Sequence, residues 1–100
     1  MTDVASNKGL VDLDEVVRLR PGAVAFRVID GEAVLLDIER SEYLGLNGTA
    51  TVLLDALGSG ATEHDLVDRL LAGFDVDTDV ARLDVERFLA ACRERGWLAP

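Results

Sequence analysis

The stretch Ala23-Val24-Ala25-Phe26-Arg27-Val28-Ile29-Asp30-Gly31-Glu32-Ala33-Val34-Leu35-Leu36-Asp37-Ile38 decides the fold. Val24, Phe26 and Val28 alternate with Ala23, Ala25 and Arg27, the period of a strand with two different faces. Asp30-Gly31 comes next and suits a type I′ turn, whose two central residues both need positive φ. Glu32 to Ile38, rich in Val34, Leu35, Leu36 and Ile38, is the return strand. Residues 23–38 therefore read as a β-hairpin.

Upstream, Val16-Val17-Arg18-Leu19-Arg20 is a candidate short strand, broken by Pro21-Gly22. Residues 1–14 are mostly polar and small, without a clear period, and are expected to form a flexible N-terminal arm. Residues 15–100 are then the folded domain.

Downstream, the polar run Glu39-Arg40-Ser41-Glu42 makes a turn into a third short strand, Tyr43-Leu44-Gly45-Leu46. Gly45 inside it marks a place where another backbone can approach closely. Asn47-Gly48 fits either a further hairpin turn or a helix start. The helical spacing of Val52, Leu53, Ala56 and Leu57, with Asn47 as a good N-cap, favours a helix over 48–57, ended by Gly58-Ser59-Gly60. Thr62-Glu63-His64-Asp65 is a variant of the capping box and opens a helix over 63–72, striped by Leu66, Val67, Leu70 and Leu71. Gly73 stops it. Asp77 caps a third helix over 78–95 carrying Val80, Leu83, Val85, Phe88, Leu89 and Cys92, and Gly96 ends it. Trp97-Leu98 is expected to fold back onto the core. Strands first and helices after predict the α+β class: a small antiparallel three-stranded sheet followed by three helices, a winged-helix-like arrangement.

A chain of 100 residues, 49% of them hydrophobic, suits one domain with a real core. The formal net charge of −9 opposes duplex binding, which draws affinity from neutralised phosphates, and opposes an anionic membrane surface. It suits a cationic or neutral partner, and equally plain solubility. Cys92 is the single cysteine, so no internal disulfide can form. The N-terminus shows no signal-peptide pattern, and no apolar stretch approaches the roughly 20 residues that span a bilayer. A cytoplasmic location is expected.

The search for chemistry finds little. His64, the single histidine, lies between two carboxylates on a polar helix face and reads as a solvated surface residue rather than a general base. Cys92 has no base partner and lies one turn past Phe88 on an apolar stripe, the place of a core thiol. Asp75-Val76-Asp77-Thr78-Asp79 starts like a calcium loop, but Val80 stands where glycine is required, so helix capping is the better reading. Ser59 lies between glycines rather than in the Asp-Ser-Leu context of a phosphopantetheine carrier, and Gly58-Ser59-Gly60 lacks the ending of a phosphate loop. No catalytic set, metal cluster or cofactor motif is present, which points to binding rather than catalysis.

Several stretches together resemble one family. Val34-Leu35-Leu36-Asp37 and Tyr43-Leu44-Gly45-Leu46-Asn47 look like the central strands and first cap of PqqD-like proteins. Phe74-Asp75-Val76-Asp77, Leu83-Asp84-Val85, Phe88-Leu89 and Arg95-Gly96-Trp97-Leu98 look like their third helix and terminus. The likeness covers about 23–98, and within the family the size and the N-terminal arm resemble the stand-alone proteins of lasso-peptide biosynthesis. The resemblance implies non-catalytic capture of a precursor peptide's leader segment, presented to a leader peptidase and a macrolactam-forming cyclase. It also implies a leader that adds as a strand to the sheet edge and lies in a groove between the third strand and the third helix.

The edge strand expected to take the peptide is Tyr43, Leu44, Gly45 and Leu46, since β-augmentation needs unpaired N–H and C=O groups. On the third helix, Val80, Asp84, Arg87, Phe88 and Ala91 recur at three- and four-residue spacing and share one face, with Leu83 at its border. Phe88 and Leu83 are expected to make an apolar pocket, with Asp84 and Arg87 pairing leader charges at the rim. The competing reading makes Phe88 and Leu83 core residues, Asp84 with Arg87 a solvated i, i+3 pair, and Tyr43 a plain strand aromatic. Two other functions fit the same fold: a PqqD-type peptide chaperone for quinone cofactor synthesis, and a winged-helix DNA-binding regulator, which the charge opposes.

Overall fold

In the computed structural model, residues 15–30 and 32–100 are described; the expected arm at 1–14 and Gly31 of the hairpin turn lie outside them. The hairpin forms as its alternation requires. Strand β2 (Val24–Ile29) pairs antiparallel with β3 (Glu32–Asp37), and Asp30 takes φ 52° at the turn. Strand β4 (Glu42–Leu46) pairs antiparallel with the other side of β3, so β3 is central and β2 and β4 are edges.

The register sorts side chains onto two faces, because successive residues of a strand point to opposite sides. Phe26, Leu35 and Leu44 line up across the three strands on the inner face, beside Ala33 and Leu46. Leu35 is fully buried there. Ala25, Leu36 and Tyr43 line up on the outer face, with Arg27, Val34 and Gly45.

Three helices cover the inner face: α1 (Gly48–Ser59), α2 (Glu63–Gly73) and α3 (Thr78–Glu94). Each starts at the cap its sequence supplies. Asn47 Oδ1 accepts the Ala50 N–H at 2.9 Å, Thr62 and Asp65 form a reciprocal capping box, and Asp77 Oδ1 accepts the Val80 N–H at 2.9 Å. The core collects Leu53, Leu54 and Leu57 from α1, Leu66 and Leu70 from α2, and Ala81, Val85, Leu89 and Cys92 from α3. Trp97 folds back among them and is buried.

The expected separation of strands from helices is incomplete. A two-residue strand, β5 (Ala61–Thr62), lies between α1 and α2 and pairs antiparallel with β1 (Val16–Val17). Of the candidate strand at 16–20, only β1 is laddered; Leu19 makes a single bridge to Leu98. Gly60, at φ 92°, turns the chain out of α1 into β5, and the Arg18 guanidinium lies so close that an added Cβ would sit 2.7 Å from it. The pairing is long-range, so local patterning carried no sign of it.

A candidate peptide-binding edge between β4 and α3

Strand β4 is an edge, so alternate N–H and C=O groups along it face outward without a strand partner among the described residues. Two contacts fix what lies beside it. Arg95, the C-cap of α3, reaches Glu42 at the start of β4, Nη1 to Oε1 at 3.1 Å. At the far end, Gly48 lies against the ring of Phe74, 3.4 Å from where its Cβ would stand, just after β4 and just before α3. The end of α3 is thus beside the start of β4, and the approach to α3 is beside its finish. Helix and edge strand run antiparallel to each other.

The stripe of α3 that ends at Arg95 passes through Ala91, Phe88 and Asp84, which are four, seven and eleven residues before it. This is most of the face that the sequence singled out. Burial grades away from it: Ala81, Val85, Leu89 and Cys92 are buried, Asp84 and Phe88 are half-buried, and Val80, Leu83, Arg87 and Ala91 are exposed. Phe88 packs against the core cluster. Val80 and Leu83, each 45% exposed, are large apolar groups left open beyond it. Asp84 and Arg87 form no ion pair with each other, although i, i+3 spacing allows one.

On β4 the structure divides the expected residues. Leu44 and Leu46 point inward and pack against the core. Tyr43 and Gly45 share the opposite face, and Tyr43 is 73% exposed. With Ala25, Phe26, Arg27, Ile29, Val34 and Leu36, Tyr43 borders a shallow cavity of about 420 Å³ on that outer side. Its ring is therefore not a wall of the α3 side, whereas its backbone remains part of the edge.

What holds edge and helix together was not read from the sequence. Asp37, fully buried at the end of β3, accepts the Trp97 Nε1–H at 2.9 Å, the Arg40 backbone N–H at 3.1 Å and Arg40 Nη1 at 2.9 Å. Arg40 also donates to the Arg95 carbonyl at 3.0 Å, and the Arg95 guanidinium lies 5.4 Å from the Trp97 ring centroid. The indole hydrogen bond, and then those from Arg40, hold the Asp37 carboxyl below its usual range against the cost of burial. One buried carboxylate thus joins the β3–β4 turn to the residues following α3. An aspartate in the apolar register of β3 was the available signal, since a buried acid must be hydrogen-bonded.

The remaining candidates fall where the residue types suggested. His64 is exposed, 3.8 Å from Asp68. Cys92 is buried and free, and burial pushes its thiol up to about 12. Asp77 caps α3, and among the described residues no group of three or more His, Cys, Asp or Glu is placed to hold a metal ion. No helix among the described residues is long and apolar enough to cross a membrane.

Residues 32–98 match the family described as "Coenzyme PQQ synthesis protein D (PqqD)". The chain belongs to the PqqD family. No curated protein matches it. Among solved structures, this PqqD-family chain is 30% identical to "Lasso peptide synthetase B1 complexed with the leader peptide", over 84% of its own length and 98% of that chain, with a TM-score of 0.70. It is 28% identical to TbiB1 in complex with the TbiA(beta) leader peptide, over 81% of its own length and 93% of that chain, with a TM-score of 0.71. The PqqD truncation of Methylobacterium extorquens PqqCD, a stand-alone recognition element for ribosomally synthesized and post-translationally modified peptides, shares the fold. It has a TM-score of 0.69 at 22% identity, over 91% of this chain and 96% of that one.

Proposed function

We propose that this chain binds the leader segment of a precursor peptide of the lasso type without catalysing a reaction, and hands it to a leader peptidase and a macrolactam cyclase. One observation carries the reading: a strand edge, β4, unpaired among the described residues, runs antiparallel beside a helix face with open apolar groups, in a family whose relatives at 30% and 28% identity are held in complex with leader peptides.

The leader adds to β4 through backbone hydrogen bonds of Tyr43 to Leu46, each contributing about 0.5–1.5 kcal/mol net. Much of that is offset by ordering the peptide, so side-chain contacts supply the remainder and the selectivity. Val80, Leu83 and Phe88 receive the leader's apolar groups, Ala91 leaves room for the backbone, and Asp84 and Arg87 meet its charges. The net charge of −9 favours a basic leader, with an on-rate that falls as salt rises.

The test is a fluorescence-polarisation titration with a labelled lasso-precursor leader peptide, run against a random DNA duplex. Saturable leader binding that is lost in Phe88→Asp or Val80→Asp, with the fold retained by circular dichroism, supports the reading. A folded protein that ignores the leader sinks it, and duplex binding instead would favour the regulator.

A further inference from the structure

The opposite flank of α3 carries a second feature. Glu63, in the first turn of α2, is 8% exposed. No hydrogen bond or ion pair from the described residues reaches its carboxylate. No buried side-chain oxygen or nitrogen among the described residues lacks a partner, so the unpaired Glu63 oxygens still touch solvent, while partial desolvation pushes the carboxyl above its usual range. Glu86 adds to the rise; Arg93 and Arg82 oppose it without coming within pairing distance.

Glu63 lines a cavity of about 210 Å³ between α2 and α3, with His64, Val67, Asp68, Leu71, Thr78 and Arg82. Small-molecule sites run from about 300 Å³ upward, so this one has room for a single long side chain rather than a cofactor. Val67 and Leu71 give it an apolar wall, Glu63 an acid within, and Asp68 an acid at an exposed position. The two carboxylates, Glu63 and Asp68, outnumber the one guanidinium, Arg82.

We propose that this cavity accepts the side chain of an arginine or lysine presented by a protein partner, its stem against Val67 and Leu71 and its cation on Glu63. An aliphatic stem with a charged head matches an apolar wall with an acid inside it. The cation supplies a partner that Glu63 lacks among the described residues, and the net charge of −9 draws basic surfaces toward it. Thr78 and Arg82 lie across the buried stripe of α3 from Asp84, Phe88 and Ala91. The site is therefore separate from the leader edge, fits a second polypeptide rather than the leader, and does not depend on the leader reading.

The test is a heteronuclear NMR titration of the full chain with acetyl-arginine amide and acetyl-lysine amide, with acetyl-citrulline amide as the uncharged control. A saturable shift of Glu63, Val67, Leu71 and Arg82 by either cationic probe is expected, with millimolar affinity that weakens with salt, and no such shift with citrulline. Glu63→Gln keeps the shape and removes the charge; it should weaken probe binding about tenfold while the protein stays folded. Equal shifts with citrulline, shifts confined to Val80 and Leu83, or unchanged binding in Glu63→Gln would each overturn the proposal. Leader affinity is measured on the same variant; its loss there would show that the two sites are not separate, whereas failure of leader binding in the parent protein bears only on the leader reading.

Discussion

Trp97 Nε1–H donates to Asp37 Oδ2 at 2.9 Å, a buried hydrogen bond between residues 60 apart in sequence. It closes the C-terminal segment onto the central strand, and Arg40 extends the link to the Arg95 carbonyl. The position of β4 relative to α3 therefore rests on this carboxylate and its donors together with the Arg95–Glu42 ion pair.

Trp97→Phe keeps most of the ring and deletes that donor. The thermal midpoint should fall by about 5 °C or more, the scale of a lost hydrogen bond to a charged group in a domain of this size. Differential scanning calorimetry reads it directly. Leader affinity should fall as well, because the edge and helix are no longer held at a fixed spacing. A midpoint within 1 °C (about the scatter of such a scan) would remove Asp37 from this role.

Exposed apolar groups on α3 separate binding from folding. Val80 and Leu83 are each 45% exposed, so Val80→Asp and Leu83→Asp should leave the thermal midpoint nearly unchanged. Each should weaken leader binding by about tenfold, as expected when a contact worth roughly 1.4 kcal/mol is lost. Unaltered binding in both would move the leader off this face.

Acid stability should show opposing contributions. Asp37 has a lowered carboxyl, so its stabilisation is present above its unfolded value of about 3.9 and is lost as pH falls through the folded value. Glu63 is the reverse. Its folded value is raised, so the folded state gains stability as pH falls from that value toward about 4.3, and loses it as pH rises again. Urea titrations across pH 3 to 7 (about the carboxylate range) should show Glu63→Gln more stable than the parent at neutral pH, with the difference narrowing toward acid. Asp37→Asn should be destabilised most at neutral pH.

Cys92 should behave as a core thiol. With its thiol pushed up to about 12 and the side chain buried, iodoacetamide at mildly alkaline pH should label native protein slowly and urea-unfolded protein rapidly. Rapid labelling of the native state, followed by mass spectrometry, would mean that α3 opens in solution.

Elements set by local rules were legible in the residues. The hairpin follows from alternation and Asp30-Gly31, the helix starts from Asn47, Thr62 and Asp77, and the buried stripe of α3 from the spacing of Val85, Leu89 and Cys92. The face of α3 carrying Asp84, Phe88 and Ala91 was legible too, because three- and four-residue spacing fixes which side chains share a side.

What the tertiary structure alone decided is which groups meet across long sequence separations. Local patterning cannot fix the β1–β5 ladder, the antiparallel course of α3 along β4, or the convergence of Trp97 and Arg40 on Asp37, since each depends on how the chain closes. Tyr43 shows the limit most simply: the sequence places it on the third strand, but only pairing with Leu36 turns its ring to the outer face. A shift of one residue in that register would have sent it inward, because side chains alternate at every step along a strand.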